Sequence, residues 1–170
     1  MTDLSPLHPR AQHLLEKARA KGVKIATAES CTGGLVAGLL TEIAGSSDVV
    51  ERGFVTYSNE AKVEMLGVPE ATLIAHGAVS EATARAMAEG ALARSRATFA
   101  IAITGVAGPG GGTTDKPVGL VHFACAATGR PTIHAERRFG AIDRSGVRYA
   151  AVVQALAMLE EAVAGWSLTA

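Results

Sequence analysis

A polar turn at residues 29–31 carries the residue types of a nucleophilic site. The stretch VKIATAESCTGG (23–34) begins as an apolar, β-branched strand to about Ala28 and continues into an apolar helix at TGGLVAGLLTEI. Ser30 lies between them, where free N–H groups at a helix start can hold an anion or a developing oxyanion. Ser30 is therefore a candidate nucleophile, although most serines in front of helices are N-caps. The neighbouring Glu29 either orients a donor or is a solvated turn carboxylate.

Lys62 is a candidate base for such a serine. A neutral lysine can accept a hydroxyl proton if burial or a nearby cation lowers its pKa. Lys62 follows a predicted strand that ends at Tyr57, so we expect its helix to start on the same rim as Ser30. Tyr57 could relay a proton or orient the lysine, and Asn59 is either a helix cap or a substrate contact. The alternative for Lys62 is a solvated helix lysine, which is the usual state of this residue.

A glycine-rich loop, GVAGPGGGTTDKPVG (105–119), follows an apolar strand predicted over Thr98–Thr104. Glycine loses more entropy on folding than any other residue, so such density is costly. It lets the backbone approach a ligand closely and point N–H groups at it, at a strand end where open α/β sheets bind ligands. The loop has neither a Walker nor a Rossmann pattern, and the alternative is a flexible surface loop.

Two arginines, Arg144 and Arg148, lie one turn apart near the start of the last predicted helix. The helix macrodipole disfavours cations at this end, so a bound phosphate or carboxylate would explain the placement. Ion pairs with carboxylates such as Glu136 or Asp143 are the alternative explanation.

The hydrophobic periodicity predicts helices and strands that alternate early in the chain, followed by a late hairpin. We therefore expect a single domain over residues 1–170, a three-layer α/β/α sandwich with a mixed, mostly parallel sheet and a late antiparallel hairpin. The predicted helices cover about 8–20, 32–44, 59–67, 70–76, 81–94 and 144–163, and the predicted strands cover 23–28, 49–57, 98–104, 118–127 and 132–139.

Composition excludes several classes of protein. Apolar residues make up 48% of the 170 residues, which is enough for a sizeable core, and 16 basic residues balance 16 acidic ones. Zero net charge and only 4% aromatic residues argue against direct nucleic-acid binding. No apolar run approaches the roughly 18 residues of a membrane span. Two cysteines and five histidines without metal-ligand spacing predict no metal site and a reducing, cytoplasmic setting.

Several ordered stretches resemble the CinA C-terminal domain family. They are ATAESCTGG, GFVTYSNEAKVEMLGV, GAVSEATARAMAEGA and AITGVAGPGGGTTDKPVGLV, and the likeness extends from about Lys24 to Leu159. Enzymatically defined members of the family are nicotinamide-nucleotide amidases. The resemblance implies an α/β/α fold and, because the chain has no room for the N-terminal domain of full-length members, a stand-alone form.

The resemblance implies hydrolysis of the carboxamide of nicotinamide mononucleotide to nicotinic acid mononucleotide and ammonia, without a metal or other cofactor. Ser30 would be the nucleophile and Lys62 the base, with Tyr57 in support. Arg144 matches the arginine of a Gly-Asp-Arg segment of the family, in which Ile142 replaces the glycine in this sequence. The residues expected to bind substrate are Glu29, Cys31, Thr32, Gly33, Gly34, Asn59, Thr104, Gly105, Gly108, Gly110, Gly111, Gly112, Thr113 and Arg144.

Two other hypotheses stand beside the amidase. The first is a non-catalytic nucleotide- or partner-binding module linked to competence or the DNA-damage response, with which the family is associated by name. The second is an amide hydrolase with a different substrate. A homodimer or a higher homo-oligomer is also expected, because Ala- and Leu-rich helices often leave apolar faces to cover.

Overall fold

The computed structural model describes residues 2–140 and 142–167, which form six α-helices, five strands and two short 3₁₀ turns. The helices are α1 (His8–Ala20), α2 (Leu35–Glu42), α3 (Asn59–Leu66), α4 (Glu70–His76), α5 (Glu81–Ala93) and α6 (Arg144–Ala164). The strands are β1 (Ile25–Glu29), β2 (Val50–Val55), β3 (Phe99–Gly105), β4 (Leu120–Ala127) and β5 (Arg130–Arg138).

The five strands form one mixed sheet in the order β2-β1-β3-β4-β5. β1 pairs in parallel with β2 and β3, so that Thr27 lies between Gly53 and Ile101. β4 and β5 form an antiparallel hairpin that joins the sheet through β3. With helices on both faces, this arrangement confirms the predicted three-layer fold.

The two faces of the sheet carry side chains of different size. On β3, Phe99, Ile101 and Ile103 face α1, α2 and α6, and they belong to a core rich in Leu, Val and Ile. Ala100 and Ala102 face the other way and pack in an alanine-rich core with α5. Because the side chains are small both on this face of the sheet and on the facing side of α5, the helix lies close to the sheet.

Differences from the predicted boundaries have local causes. The hairpin turn lies at residues 128–129, so Pro131 falls inside β5; an edge strand tolerates a proline because one side of its ladder is open. Gly53 lies where β2 approaches α2 and β1 closely, since a Cβ there would lie 3.0 Å from the Ala37 Cβ and the Thr27 Oγ1. Within the described residues, no helix combines the length and the apolar character that a membrane crossing requires.

The chain passes from β1 to β2 on one side of it and then crosses from β2 to β3 on the other side of β1. The carboxyl ends of these three parallel strands therefore meet at one edge, at Glu29, Val55 and Gly105. In open α/β sheets a ligand crevice forms at such a point, outside the carboxyl ends of the strands.

Candidate active site

Ser30 and Lys62 come together at this edge. Ser30 follows β1 directly, and Lys62 projects from α3, which follows β2. The Lys62 Nζ donates to the Ser30 Oγ at 3.0 Å and to the Thr56 carbonyl oxygen at 2.8 Å. The structure thus brings together the predicted hydroxyl and amine, although 32 positions separate them in the sequence.

The environment of Lys62 favours its neutral form. Only 1% of the residue is exposed, so the solvated alternative is wrong. Burial lowers the pKa of Lys62 below its ordinary value, because the charged ammonium loses its hydration. Among the described residues no carboxylate forms an ion pair with Lys62 to offset this effect. The geometry is that of a serine beside a buried amine of weakened basicity.

The pair opens into a cavity of about 210 Å³. Five predicted site residues line it beside the pair: Cys31, Tyr57, Thr104, Gly105 and Arg144. Three further lining residues, Ala78, Val79 and Ala107, were not predicted. They present apolar surface and backbone rather than reactive side chains, so residue type gave no signal of their position.

The turn after Ser30 has two backbone amides without an acceptor. The Ser30 N–H donates to the Ile103 oxygen at 2.9 Å, and the Gly33 N–H donates to the Ser30 oxygen at 3.0 Å. Within residues 2–140 and 142–167, the Cys31 and Thr32 amides have no acceptor. A free amide pair next to a nucleophile is what an oxyanion hole requires.

Glu29 does not take part in the cavity. Its side chain is fully buried, and its carboxylate accepts from the amides of Gly34, Val36 and Ala37 at 2.9–3.1 Å. The carboxylate occupies the positive end of α2, where the sequence suggested a substrate anion or a Ser30 cap. Glu29 is therefore neither a solvated turn residue nor positioned to contact substrate. Ser30 is not the N-cap either, because α2 begins only at Leu35.

Arg144 reaches the cavity although Ile142 replaces the glycine of the resembling segment. Its Nη1 donates to the Gly108 oxygen at 2.8 Å, and its Nη2 donates to the Tyr57 hydroxyl at 3.0 Å. Asp143 still caps α6 by accepting from the Gly146 amide. Arg144 has no ion pair with a described carboxylate, so its charge is available to a ligand at the cavity rim.

The glycine-rich loop contributes less to the cavity than predicted. Gly105 lines the cavity, and Gly108 contacts Arg144 through its carbonyl group. The tip of the loop is exposed and lies outside the cavity lining: Gly110, Gly111, Gly112 and Thr113. Packing explains two of the other glycines, because a Cβ on Gly105 or Gly108 would lie 2.7 Å from a side-chain carbon of Val121 or Val118.

Four further predicted residues lie outside the cavity lining: Thr32, Gly33, Gly34 and Asn59. Asn59 is exposed as the first residue of α3 and borders a separate surface groove between α3 and α4. It is not the helix cap, because Ser58 accepts from the Ala61 amide. Gly33 and Gly34 shape the nucleophile turn with positive φ angles of 59° and 94°, and neither lines the cavity.

A histidine pair on β4 and β5 was not predicted as a pair. The His122 Nδ1 and the His134 Nε2 lie 3.0 Å apart, and His122 is opposite Thr104 across the β3–β4 ladder. Neither histidine lines the cavity. The part of the chain that the structure describes contains no group of three or more His, Cys, Asp or Glu side chains that could hold a metal ion.

Comparison with known proteins identifies close relatives over most of the chain. The profile of the CinA C-terminal domain matches residues 7–163. The chain is 50% identical over 159 residues to the nicotinamide-nucleotide amidohydrolase PncC of Escherichia coli K12, which covers 94% of this chain and 95% of that protein. A crystal structure of the competence/damage inducible protein CihA from Agrobacterium tumefaciens has a TM-score of 0.90 at 55% identity, covering 93% of this chain and 95% of that one.

Other curated relatives are longer than this chain. The chain spans 36% of the length of relatives from Symbiobacterium thermophilum and Anaeromyxobacter dehalogenans, and the second of these is a CinA-like protein, 49% identical over 150 residues. The similarity therefore covers only part of each of these longer proteins.

Proposed function

Because this chain belongs to the CinA C-terminal domain family, we propose that it hydrolyses the carboxamide of nicotinamide mononucleotide, releasing ammonia and nicotinic acid mononucleotide. The observation that carries the proposal is the 3.0 Å contact between the Ser30 Oγ and the buried Lys62 Nζ. The Escherichia coli relative is a nicotinamide-nucleotide amidohydrolase that matches this chain nearly end to end, which supports the choice of substrate.

Lys62 in its neutral form accepts the Ser30 proton while the Ser30 Oγ attacks the carboxamide carbon. The resulting ammonium then donates this proton to the amide nitrogen, the C–N bond breaks, and ammonia leaves. Water attacks the acyl-serine ester with Lys62 again as base, which gives the carboxylate and restores the serine. Atoms balance with one water consumed for each amide hydrolysed.

The carbonyl oxygen becomes negatively charged in each tetrahedral intermediate. The Cys31 and Thr32 amides are the donors proposed to stabilise it, since other partners already occupy the neighbouring Ser30, Gly33 and Gly34 amides. Preorganised amides need little reorganisation during the reaction, so they act more strongly than water would.

The nucleotide phosphate is proposed to bind at Arg144. The cavity of about 210 Å³ is smaller than the roughly 300–1,000 Å³ of most ligand sites, so a nucleotide with its amide at Ser30 must extend to the rim. Arg144 lies at that rim, where it donates to the Gly108 carbonyl and the Tyr57 hydroxyl and forms no ion pair with any carboxylate in the described part of the chain. A guanidinium can bind a phosphate through two parallel hydrogen bonds.

Cys31 is the rival nucleophile, since it adjoins Ser30 and lines the same cavity. Burial raises the pKa of the Cys31 thiol to about 12. The thiolate is the reactive form of cysteine, and it is scarce at neutral pH for a thiol of this kind. The proposal therefore assigns the attack to Ser30.

The test is ammonia release from nicotinamide mononucleotide by the wild type, Ser30→Ala and the matched control Cys31→Ala. Loss of a nucleophile lowers kcat by about a thousandfold or more, so Ser30→Ala should be almost inactive while Cys31→Ala keeps most of the wild-type rate. Equal rates for wild type and Ser30→Ala would refute the serine mechanism. Nucleotide binding by the wild type without turnover would favour a binding module, and preference for free nicotinamide would refute phosphate recognition.

A further inference from the structure

Arg148 lies one turn after Arg144 on α6, but the two guanidinium groups contact different parts of the site. Its Nη2 donates to the Thr32 carbonyl oxygen at 2.9 Å and lies 3.5 Å from the position that a Cβ would occupy on Gly33. It does not line the cavity. Arg148 therefore contacts the nucleophile turn through the peptide group between Thr32 and Gly33.

This placement is costly for stability. Arg148 is half-buried, and among the residues that the structure describes its buried Nε has no hydrogen-bond partner and its guanidinium has no ion pair with a carboxylate. A partly buried charge without a counter-charge loses hydration that a single carbonyl contact repays only in part. A hydrophobic residue could fill the same space on α6 without this cost, which suggests a functional reason for the arginine.

The contact adds a charged donor to a peptide group of the nucleophile turn that backbone hydrogen bonds also hold. The Gly33 N–H donates to the Ser30 oxygen, and the Thr32 C=O of the same peptide accepts from the Arg148 guanidinium at 2.9 Å and from the Leu35 amide at 3.2 Å. The peptide is therefore held at both ends. Gly33 has a φ of 59°, and glycine populates positive and negative φ with similar ease, so the residue itself sets little barrier to reorientation.

We propose that Arg148 is a positioning residue for the amidase reaction: it clamps the Thr32–Gly33 peptide, and thereby holds the Cys31 and Thr32 amides where the oxyanion develops. The inference rests on the proposed function. It assigns Arg148 to transition-state stabilisation and Arg144 to substrate binding, although one helix carries both cations.

The clamp predicts a separation of kinetic effects between the two arginines. Arg148→Met should lower kcat for nicotinamide mononucleotide by about tenfold to a hundredfold with little change in KM, because the oxyanion forms only after binding. Arg144→Met should mainly raise KM, because its phosphate contact exists in the bound substrate as well. Steady-state kinetics of the purified full-length variants measure both effects.

Two further measurements separate positioning from a general structural role. Arg148→Lys keeps a cation on a shorter, differently shaped side chain and should recover part of kcat, and millimolar methylguanidinium should raise kcat of Arg148→Ala but not of the wild type. Thermal unfolding of each variant shows whether the kinetic change follows a loss of folded protein. A poorly folded Arg148→Met would leave Arg148→Lys and the methylguanidinium experiment to decide the question.

The outcomes distinguish this inference from the function on which it rests. A wild type without turnover refutes the amidase, and the clamp with it. An active wild type beside an Arg148→Met variant of unchanged kcat, or one altered only in KM, refutes the clamp alone. Failure of both Arg148→Lys and methylguanidinium to restore any activity to a folded variant also overturns it.

Discussion

Burial determines the chemistry available to Lys62. An exposed lysine is a cation at neutral pH and cannot accept the proton of a serine. Lys62 is 1% exposed and bonds to one hydroxyl and to backbone carbonyl oxygens, so loss of hydration lowers its pKa without a carboxylate to restore it. The same burial raises the pKa of the neighbouring Cys31 thiol, because the thiolate is an anion. One environment therefore favours the neutral form of both side chains.

Glu29 has a structural role that can be tested by removing its charge. Glu29→Gln keeps the size of the side chain but weakens the bonds to the α2 amides, so we expect a loss of about 1–3 kcal/mol in the free energy of unfolding. Glu42→Gln is the matched control, since Glu42 is exposed at the other end of α2. Denaturant unfolding of both variants measures the difference. Equal stabilities would show that the carboxylate does not hold the helix.

The sequence could not assign this role to Glu29. N-cap rules consider a side chain at the helix boundary that bonds to amides two or three residues later. Glu29 lies six residues before Leu35 and returns to the helix only because the turn at 30–34 folds back. Local spacing places Glu29 beside Ser30, whereas the structure directs its side chain to the other side of the turn.

At the scale of the elements, the packing of α5 against α3 fixes the position of the lysine. Gly90 on α5 lies directly against the carbonyl group of Leu66, the last residue of α3. A Cβ at Gly90 would overlap that carbonyl oxygen. Since α3 also carries Lys62, a larger residue at position 90 must displace the helix that holds the proposed base.

Gly90→Ala should therefore impair both stability and turnover. We expect a loss of about 1–3 kcal/mol in the free energy of unfolding, because the added methyl group is overpacked. A displacement of α3 approaching 1 Å can reduce kcat by about a hundredfold. Calorimetry and steady-state kinetics measure the two effects.

Gly38→Ala is the matched control on a different helix. Gly38 is exposed in α2 and a Cβ there would meet no atom within 4 Å, so alanine should stabilise the helix by about 0.5–1 kcal/mol. Turnover should remain at the wild-type level. A Gly90→Ala variant that behaves like Gly38→Ala would contradict the proposed coupling of helix packing to the site.

The helices and strands were predicted correctly where the hydrophobic periodicity and the positions of Gly and Pro agreed. Features that depend on tertiary contacts were missed. Ser80 and Asp143 are capping residue types directly in front of α5 and α6, and both cap their helices, because capping is local. The start of α2 was placed too early, since Gly33 and Gly34 adopt positive φ within a pattern that looks helical. The exposed tip of the glycine-rich loop was assigned to the ligand because composition alone cannot distinguish a backbone that faces a cavity from one that faces solvent.

For the whole molecule, the sheet order brings the candidate residues together. Ser30, Lys62 and Thr104 follow or end three adjacent parallel strands, whose carboxyl ends share one edge. The order of elements in the sequence was therefore sufficient to predict that these residues lie at one edge of the sheet. It was insufficient to predict the wall at Ala78 and Val79, which depends on the Thr104 hydroxyl donating to the Ala78 oxygen at 2.7 Å.

The free energy of unfolding should depend on pH because Lys62 is buried. Because the folded-state pKa of Lys62 is lowered, the folded protein binds fewer protons than the unfolded chain between that pKa and 10.5. The cost of burying the charge is fully present below this window and disappears above it. The stability of the wild type relative to Lys62→Met should therefore increase as pH rises from 7 to 10, by at most about 1.4 kcal/mol per pH unit.

Denaturant unfolding at several pH values measures this difference, and Lys24→Met controls for the loss of an exposed lysine charge. Lys62→Met should also lose amidase activity while remaining folded. A stability difference that stays constant across this range would show that Lys62 is not destabilised by burial, and the argument for a neutral base would fail.

The main-chain hydrogen bonds of Thr56 have a consequence for how such a site changes during evolution. The Thr56 N–H donates to the main-chain oxygen of Glu29 and its C=O accepts from Lys62, whereas its buried hydroxyl has no hydrogen-bond partner within residues 2–140 and 142–167. The main chain, not the side chain, therefore sets the spacing between base and nucleophile. Sequence drift can exchange the residue for another of similar volume, and a search for reactive side chains will overlook a position on which their alignment depends.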